Sequence, residues 1–331
     1  MLSRRRFLHS TLLSASALAG SSACSKAPQW KRAGYLKQPT SRVAILKAAD
    51  YDRSLATIVA DGIKACKLDV SGKRVLLKPN MVEFDPAGVI NTNPCVIVAA
   101  IEAFRRLGAR DVVVAEGPGH HRDTEYLLKA SGLGQALKEH RARYVDLNED
   151  AVRSVPLESS FTKLGRLYFP ETVLEADLLV SMPKLKTHHW AGVTLSMKNL
   201  FGVVPSAIYG WPKNALHYAG INESILDINS TLSLPRFAIV DGIVGMEGNG
   251  PIQGQARKCG VLIFGDDLTA VDATAARVMK IEPTQISYLA EAERFLGNTA
   301  ASNIAQLGET ITAVEQDFAV IDQFKKLKEL V

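Results

Sequence analysis

Three features of this 331-residue sequence predict an α/β fold, a doubly wound and mostly parallel sheet with helices on both faces. Apolar runs of strand length alternate with helix-length stretches whose apolar residues recur every three to four positions. Those runs are continuous, as expected of strands covered on both sides. Charged and reactive residues follow several of them directly, where an open α/β sheet places its ligands.

The elements follow in order. Arg42–Lys47 (RVAILK) is the first strand, and 52–67 places Leu55, Ile58, Val59, Ile63 and Cys66 on one helical face. A turn at Ser71-Gly72-Lys73 leads to a buried strand, Val75–Leu77, that ends in Lys78-Pro79-Asn80. The next helix is capped by Asn93, has Pro94 in its first turn and ends near Gly108; Ile97, Ile101, Phe104 and Leu107 face inward. Asp111–Ala115 (DVVVA) is another strand, followed by Glu116-Gly117-Pro118-Gly119-His120-His121. Further strands are read at Tyr144–Val145, Leu178–Met182, Phe237–Val240 and Val261–Phe264, with helices near 222–232, 267–279 and 284–295. One α/β domain over 41–331 accommodates all of this, and a division into two lobes near 150–205 fits the same pattern.

The first residues speak of location. Ser3-Arg4-Arg5-Arg6-Phe7-Leu8-His9 is close to a twin-arginine export signal. The apolar stretch to Ala19 is too short for a membrane span, and Ala17-Leu18-Ala19 offers a small-residue cleavage site. Residues 1–24 are therefore expected to engage the twin-arginine translocase and to direct the protein to the periplasm or beyond. Cys24 opens the alternative of a lipid anchor, although Ser21 stands where a lipoprotein signal carries an aliphatic residue. Signal or lipid is the expected membrane contact, and 25–40 reads as a tether.

Composition excludes several classes. Without Arg4, Arg5 and Arg6 the formal charge falls from +5 to +2, which leaves no electrostatic case for nucleic acid. Cys66, Cys95 and Cys259 are widely spaced, so no iron–sulfur or zinc-knuckle pattern exists, and spacing chooses no disulfide pair. The glycine-bearing loops at 116–119 and 245–251 match neither Gly-x-Gly-x-x-Gly nor the phosphate loop, so no nucleotide motif is present. There is no Gly-x-Ser-x-Gly elbow either.

The informative stretch is Pro183–Pro205, PKLKTHHWAGVTLSMKNLFGVVP. It opens with Lys184, Lys186, His188 and His189 directly after an apolar strand. Together with Lys78 and Lys198 these lysines suit a carboxylate or phosphate, with Asn80 and Asn199 as neutral donors. Singly, each reads more readily as a solvated surface lysine. Lys198 is harder to dismiss, because apolar residues flank it on both sides. His188 and His217 read as general acid/base groups, or as metal ligands with Asp241 and Glu247 for a divalent ion. Asp272, inside a helix, is either a buried carboxylate facing the rim or an outward residue. The expected rim gathers Lys78 and Asn80, 116–121, 184–189, Asp241 with Glu247, and Asp266 with Asp267.

These segments resemble the family known as domain of unknown function 362. The resemblance is carried by VLLKPNMV (75–82), TNPCVIVAAIEAFRRLGARDVVVAEGPG (92–119), PKLKTHHWAGVTLSMKNLFGVVP (183–205), His217 with ESILDI (223–228), VDGIVGMEGNGP (240–251) and GDDLTAVDATAA (265–276). It implies polar site positions at Lys78, Asn80, Lys184, Lys186, His188, Lys198, Asn199, His217, Asp241, Glu247, Asp267 and Asp272. His189 and His120-His121 fall outside that pattern. Many relatives carry an appended cluster-binding domain that this sequence lacks. Two functions remain open: an exported enzyme acting on a small anionic molecule through a Lys/His/Asp cleft, with or without a metal, and a periplasmic binding or carrier protein without turnover.

Overall fold

The computed structural model describes residues 29–31, 35, 37–119 and 123–329. The expected leader, Cys24 and the His120-His121 pair lie outside them. Among the described residues, twelve strands are formed. The first six are β1 (Ser41–Lys47), β2 (Arg74–Pro79), β3 (Asp111–Glu116), β4 (Arg143–Asp146), β5 (Val152–Pro156) and β6 (Arg166–Pro170). The remainder are β7 (Leu178–Met182), β8 (Lys184–His188), β9 (Gly192–Thr194), β10 (Arg236–Asn249), β11 (Gln253–Gly265) and β12 (Ile304–Gly308).

Ten of these form one sheet in the order β12-β1-β11-β10-β7-β2-β3-β4, with β8 paired to β10 and β9; β5 and β6 make a separate hairpin. Six of the nine ladders in the large sheet are parallel, so the mostly parallel expectation holds. The exceptions are the pairs β1–β11, β10–β11 and β8–β9.

Side-chain alternation along the strands divides the apolar residues between two faces. Val75 and Leu77 of β2 pack in one core with the helices Leu55–Ala65 and Pro94–Arg106. Leu76 points the other way, toward the helices Ile221–Thr231, Leu268–Val278 and Ser287–Ala292. Helices on both faces are thus required by continuous apolar strands, which would otherwise expose one side. Among the described residues, no helix is long and apolar enough to cross a membrane.

Two expectations need correction, and the stretch after Met182, for which no element was read, is itself strand: Lys184–His188 forms β8, with Lys184, Lys186 and His188 at alternate positions. The described part of the expected tether is docked: the Trp30 ring stacks on Phe295 at 4.6 Å and the Tyr35 hydroxyl donates to the Ser230 carbonyl at 3.1 Å. And β11 runs antiparallel to β10, so Asp266 and Asp267 leave the sheet at the opposite rim from the carboxyl ends of β2, β3 and β7. Asp267 there caps the helix Leu268–Val278 and accepts from Ser41, on the wall of a separate cavity.

Candidate functional site

β2, β3 and β7 are parallel neighbours whose carboxyl ends share one rim, and β8 with β9 folds over it. A cavity of about 240 Å³ lies there. Of the expected site residues, Lys78, Asn80, Lys186, His188, Lys198, Asn199 and His217 line it, together with Glu116, His189, Thr194, Phe201 and Lys213.

Its floor is a closed network. Lys78 Nζ donates to Glu116 Oε2 at 2.6 Å, to Asn199 Oδ1 at 2.9 Å and to the Pro79 carbonyl at 2.8 Å. Asn199 Nδ2 donates to the Lys78 carbonyl and to Ser181 Oγ, so its amide orientation is set by its partners. Glu116 also accepts from the Met81 and Gly117 amides. The chain must pass close to reach this pair: a Cβ on Gly202 would fall on the Glu116 carboxylate and the Lys78 amine.

Above this floor the cations have no matching anion. Lys186 is fully buried and donates only to carbonyls, Ile90 O at 2.8 Å and Pro251 O at 3.3 Å. Burial pushes its ammonium well below the usual lysine range, helped by Lys198, Lys184 and Lys78. Lys213, 3 % exposed, donates to the Gly117 and Val204 carbonyls, and burial brings it down to about 7. Lys198 lies over the Phe201 ring at 5.1 Å and is pushed down to about 8 by burial and by Lys78. Glu116, already paired, is the only carboxylate among the described lining residues.

The two histidines have opposite tautomers, fixed by their partners. His188 Nδ1 accepts the backbone amides of Trp190 and Ala191, at 3.0 and 3.2 Å. A protonated Nδ1 would face two N–H donors, so the ring's proton sits on Nε2. His217 Nδ1 is 3.0 Å from the Lys213 carbonyl, which can only accept, so Nδ1 carries the proton and Nε2 has the free lone pair. Burial lowers both pKa values, that of His188 strongly, with Lys198 adding to each.

Other expected residues sit elsewhere. Lys184 pairs with Asp241 at 2.6 Å in a buried knot that includes the Tyr51 hydroxyl and the Asn93 amide. Glu247 reaches Arg257 at 3.6 Å and accepts from the Ala319 amide. The four expected metal ligands are therefore not brought together. A metal on His188 Nε2 would also force the proton onto Nδ1, against two amide donors. Among the described residues, no group of three or more His, Cys, Asp or Glu could hold a metal ion. Asp272 is buried and accepts from the Ser196 and Met197 amides at 2.6 and 2.9 Å. It fixes the short helix Ser196–Asn199, which carries Lys198 and Asn199, and does not line the cavity. Cys66, Cys95 and Cys259 are free thiols.

Lys213 was not anticipated from the sequence. It enters the cavity from a segment at 206–220, and the absence of a side chain on Gly119 makes room for its stem. A glycine pair at 117 and 119 opposite an isolated lysine was the available signal.

Comparison with known proteins gives a consistent result. The family described as Domain of unknown function (DUF362) matches residues 75–277. The thylakoid-associated protein sll1697 of Synechocystis sp. is 27 % identical over 244 residues, covering 70 % of this chain and 71 % of the relative. Among solved structures, the lactate racemase apoprotein from Thermoanaerobacterium thermosaccharolyticum superposes with a TM-score of 0.42 and 17 % identity, covering 67 % of this chain and 54 % of that one. A protein from Thermotoga maritima gives 0.35 and 14 %, covering 67 % and 57 %. The chain thus spans little more than half the length of these two structures.

Proposed function

This chain belongs to the family described as Domain of unknown function (DUF362), and for this member we propose an exported enzyme that transfers a proton on a small carboxylate- or phosphate-bearing substrate. The observation that carries the reading is a cavity lined by three lysines, Lys186, Lys198 and Lys213, with no carboxylate of their own among the described residues. An unneutralised cluster of this kind costs folding energy, and an anionic ligand supplies the missing charge. Lys186, Lys198 and Lys213 bind the anion, and the Lys78–Glu116–Asn199 network holds the floor. His217, unprotonated at Nε2, takes the proton; His188, whose Nε2–H points a donor rather than a base, stabilises the oxygen that gains charge. His188 is thereby reassigned from acid/base work to hydrogen-bond donation. Export rests on the Ser3–His9 motif with the apolar stretch to Ala19 and the small residues Ala17-Leu18-Ala19.

The test has two parts. Oxalate and phosphate are titrated into the purified protein by calorimetry, and exchange of solvent deuterium into a panel of small carboxylic acids is followed by NMR. Saturable binding that weakens at least tenfold in Lys186→Met, with exchange lost in His217→Ala, supports an enzyme. Binding without exchange makes the protein a carrier, and no binding of either anion removes the reading.

A further inference from the structure

We propose that Lys198 captures the carbonyl carbon of a 2-oxo acid as an imine, an inference that rests on the anion-binding reading of the cavity. The four cavity lysines differ in what their amines already hold. Lys78 is committed to Glu116 and Asn199, Lys186 to two carbonyls and Lys213 to two carbonyls. Lys198 makes no hydrogen bond among the described residues; its Nζ meets only the face of Phe201. Once deprotonated, it can therefore turn its lone pair toward a ligand without breaking a hydrogen bond, which Lys186 and Lys213 cannot. The amine is also rigidly based, since the four-residue helix that bears it is pinned by Asp272 at the Ser196 and Met197 amides.

Protonation permits the step here: with a pKa brought down to about 8, about one Lys198 amine in ten is neutral at pH 7, against fewer than about one in a thousand for an ordinary lysine. Lys213, at about 7, is neutral more often, and what separates it from Lys198 is that its amine is held by two carbonyls. His217 contacts the same Phe201 ring, at 5.6 Å between ring centres, and brings an unprotonated Nε2 to that side of the cavity.

The rest of the wall fits a carbonyl placed next to a carboxylate. Lys186 and Thr194 stand directly opposite each other in the β8–β9 ladder, so they share a face. The Thr194 hydroxyl is buried, lines the cavity and has no hydrogen-bond partner among the described residues. Lys186 and Thr194 give a cation and a donor for the carboxylate, and His188 Nε2–H gives a donor for the adjacent carbonyl oxygen.

The step balances without a redox partner. His217 removes a proton from the Lys198 ammonium, and the freed pair forms the N–C bond as the C=O π electrons move to oxygen. That oxygen takes two protons in all and leaves as water while the nitrogen pair closes the C=N bond. An ammonium and a ketone thus become an iminium and water, with charge conserved.

Reductive trapping tests this directly. The full-length protein is incubated with pyruvate and sodium cyanoborohydride, which delivers hydride to the imine carbon, then digested and mapped by mass spectrometry. The expected result is a reduced pyruvate adduct on Lys198 at least tenfold above that on any surface lysine, prevented by excess oxalate. Mapping on the unaltered chain needs no variant; Lys198→Met, with its fold checked by circular dichroism, should lose that adduct alone. Labelling spread evenly over surface lysines, or absent from Lys198, overturns the proposal. Anion titration separates the two layers: if oxalate or phosphate binds while Lys198 stays unlabelled, the imine fails and the anion site stands, and if neither binds, both fall.

Discussion

Lys213 makes the energetics of this cavity measurable through pH. Its ammonium is 3 % exposed, and its pKa in the fold is about 7, well below the roughly 10.5 of an unfolded chain. Between these two values the unfolded state binds more protons than the folded one, so stability rises with pH across that window. Over the span from pH 7 to pH 9, the linkage relation assigns about 2 kcal/mol of added stability to this one residue. Lys198, lowered to about 8, adds about 1 kcal/mol in the same direction. Lys213→Met isolates the larger share. Methionine occupies the same backbone conformation, φ +67°, with the same Cβ, so the local strain is unchanged. Two carbonyls lose their donor, at about 1–3 kcal/mol each, but that loss does not depend on pH. Urea unfolding of both proteins at pH 7 and pH 9 reads the difference. The wild type should gain about 2 kcal/mol more than the variant on going to pH 9. Parallel profiles would refute the claim that Lys213 is a desolvated cation.

Other perturbations address separate parts of the site. Lys78→Met leaves Glu116 buried without its counter-ion and should cost about 3–5 kcal/mol in chemical denaturation, most of it recovered in Lys78→Met/Glu116→Gln. Asp272, raised to about 7 by burial, contributes stability that is full below about pH 4 and lost as pH rises through 7. Asp272→Asn should flatten that decline, seen by urea midpoints at pH 4, 5.5 and 7, and should remove one of two amide bonds at the helix Ser196–Asn199. Long-range nitrogen–proton NMR should find the His188 proton on Nε2 and the His217 proton on Nδ1 throughout pH 6.5–8; the reverse pattern for either ring overturns its role. Thiol titration of the native protein should find Cys95 reactive and Cys66 protected, because only the first is exposed.

Much of the architecture could be read from residues whose demands are local. Asn93 and Pro94 specify a helix start, and the observed cap is Asn93 accepting from the Cys95 amide. The continuous runs in β2, β3 and β7 require cover on both sides and receive it. β8 escaped the reading because KLKTH places lysines where buried strands carry apolar groups; period-two spacing of Lys184, Lys186 and His188 was the signal beneath that composition. Asp266 and Asp267 were placed on the wrong rim because an apolar run does not state its direction in the sheet. Asp272 stayed ambiguous since the alanines around it, at 270, 273, 275 and 276, mark no polar face on its helix. Lys184, Asp241 and Glu247 carry the right chemistry for a site, but their partners are 57 and 10 residues away in sequence, beyond what spacing reveals.

The uncompensated lysines also bear on how this sequence persists. Lys186→Met or Lys198→Met would remove a desolvated charge at the cost of a few polar contacts, and for a protein judged on folding alone such changes are cheap improvements. Random substitution would therefore tend to bleach the cavity of charge, much as an unused hinge rusts shut. On the anion-binding reading, Lys186, Lys198 and Lys213 trade stability for binding at this spot. The same tension makes heat resistance a gauge of occupancy: a molecule that fills the pocket in the cell should relieve the strain and reveal itself by the temperature at which the protein lets go.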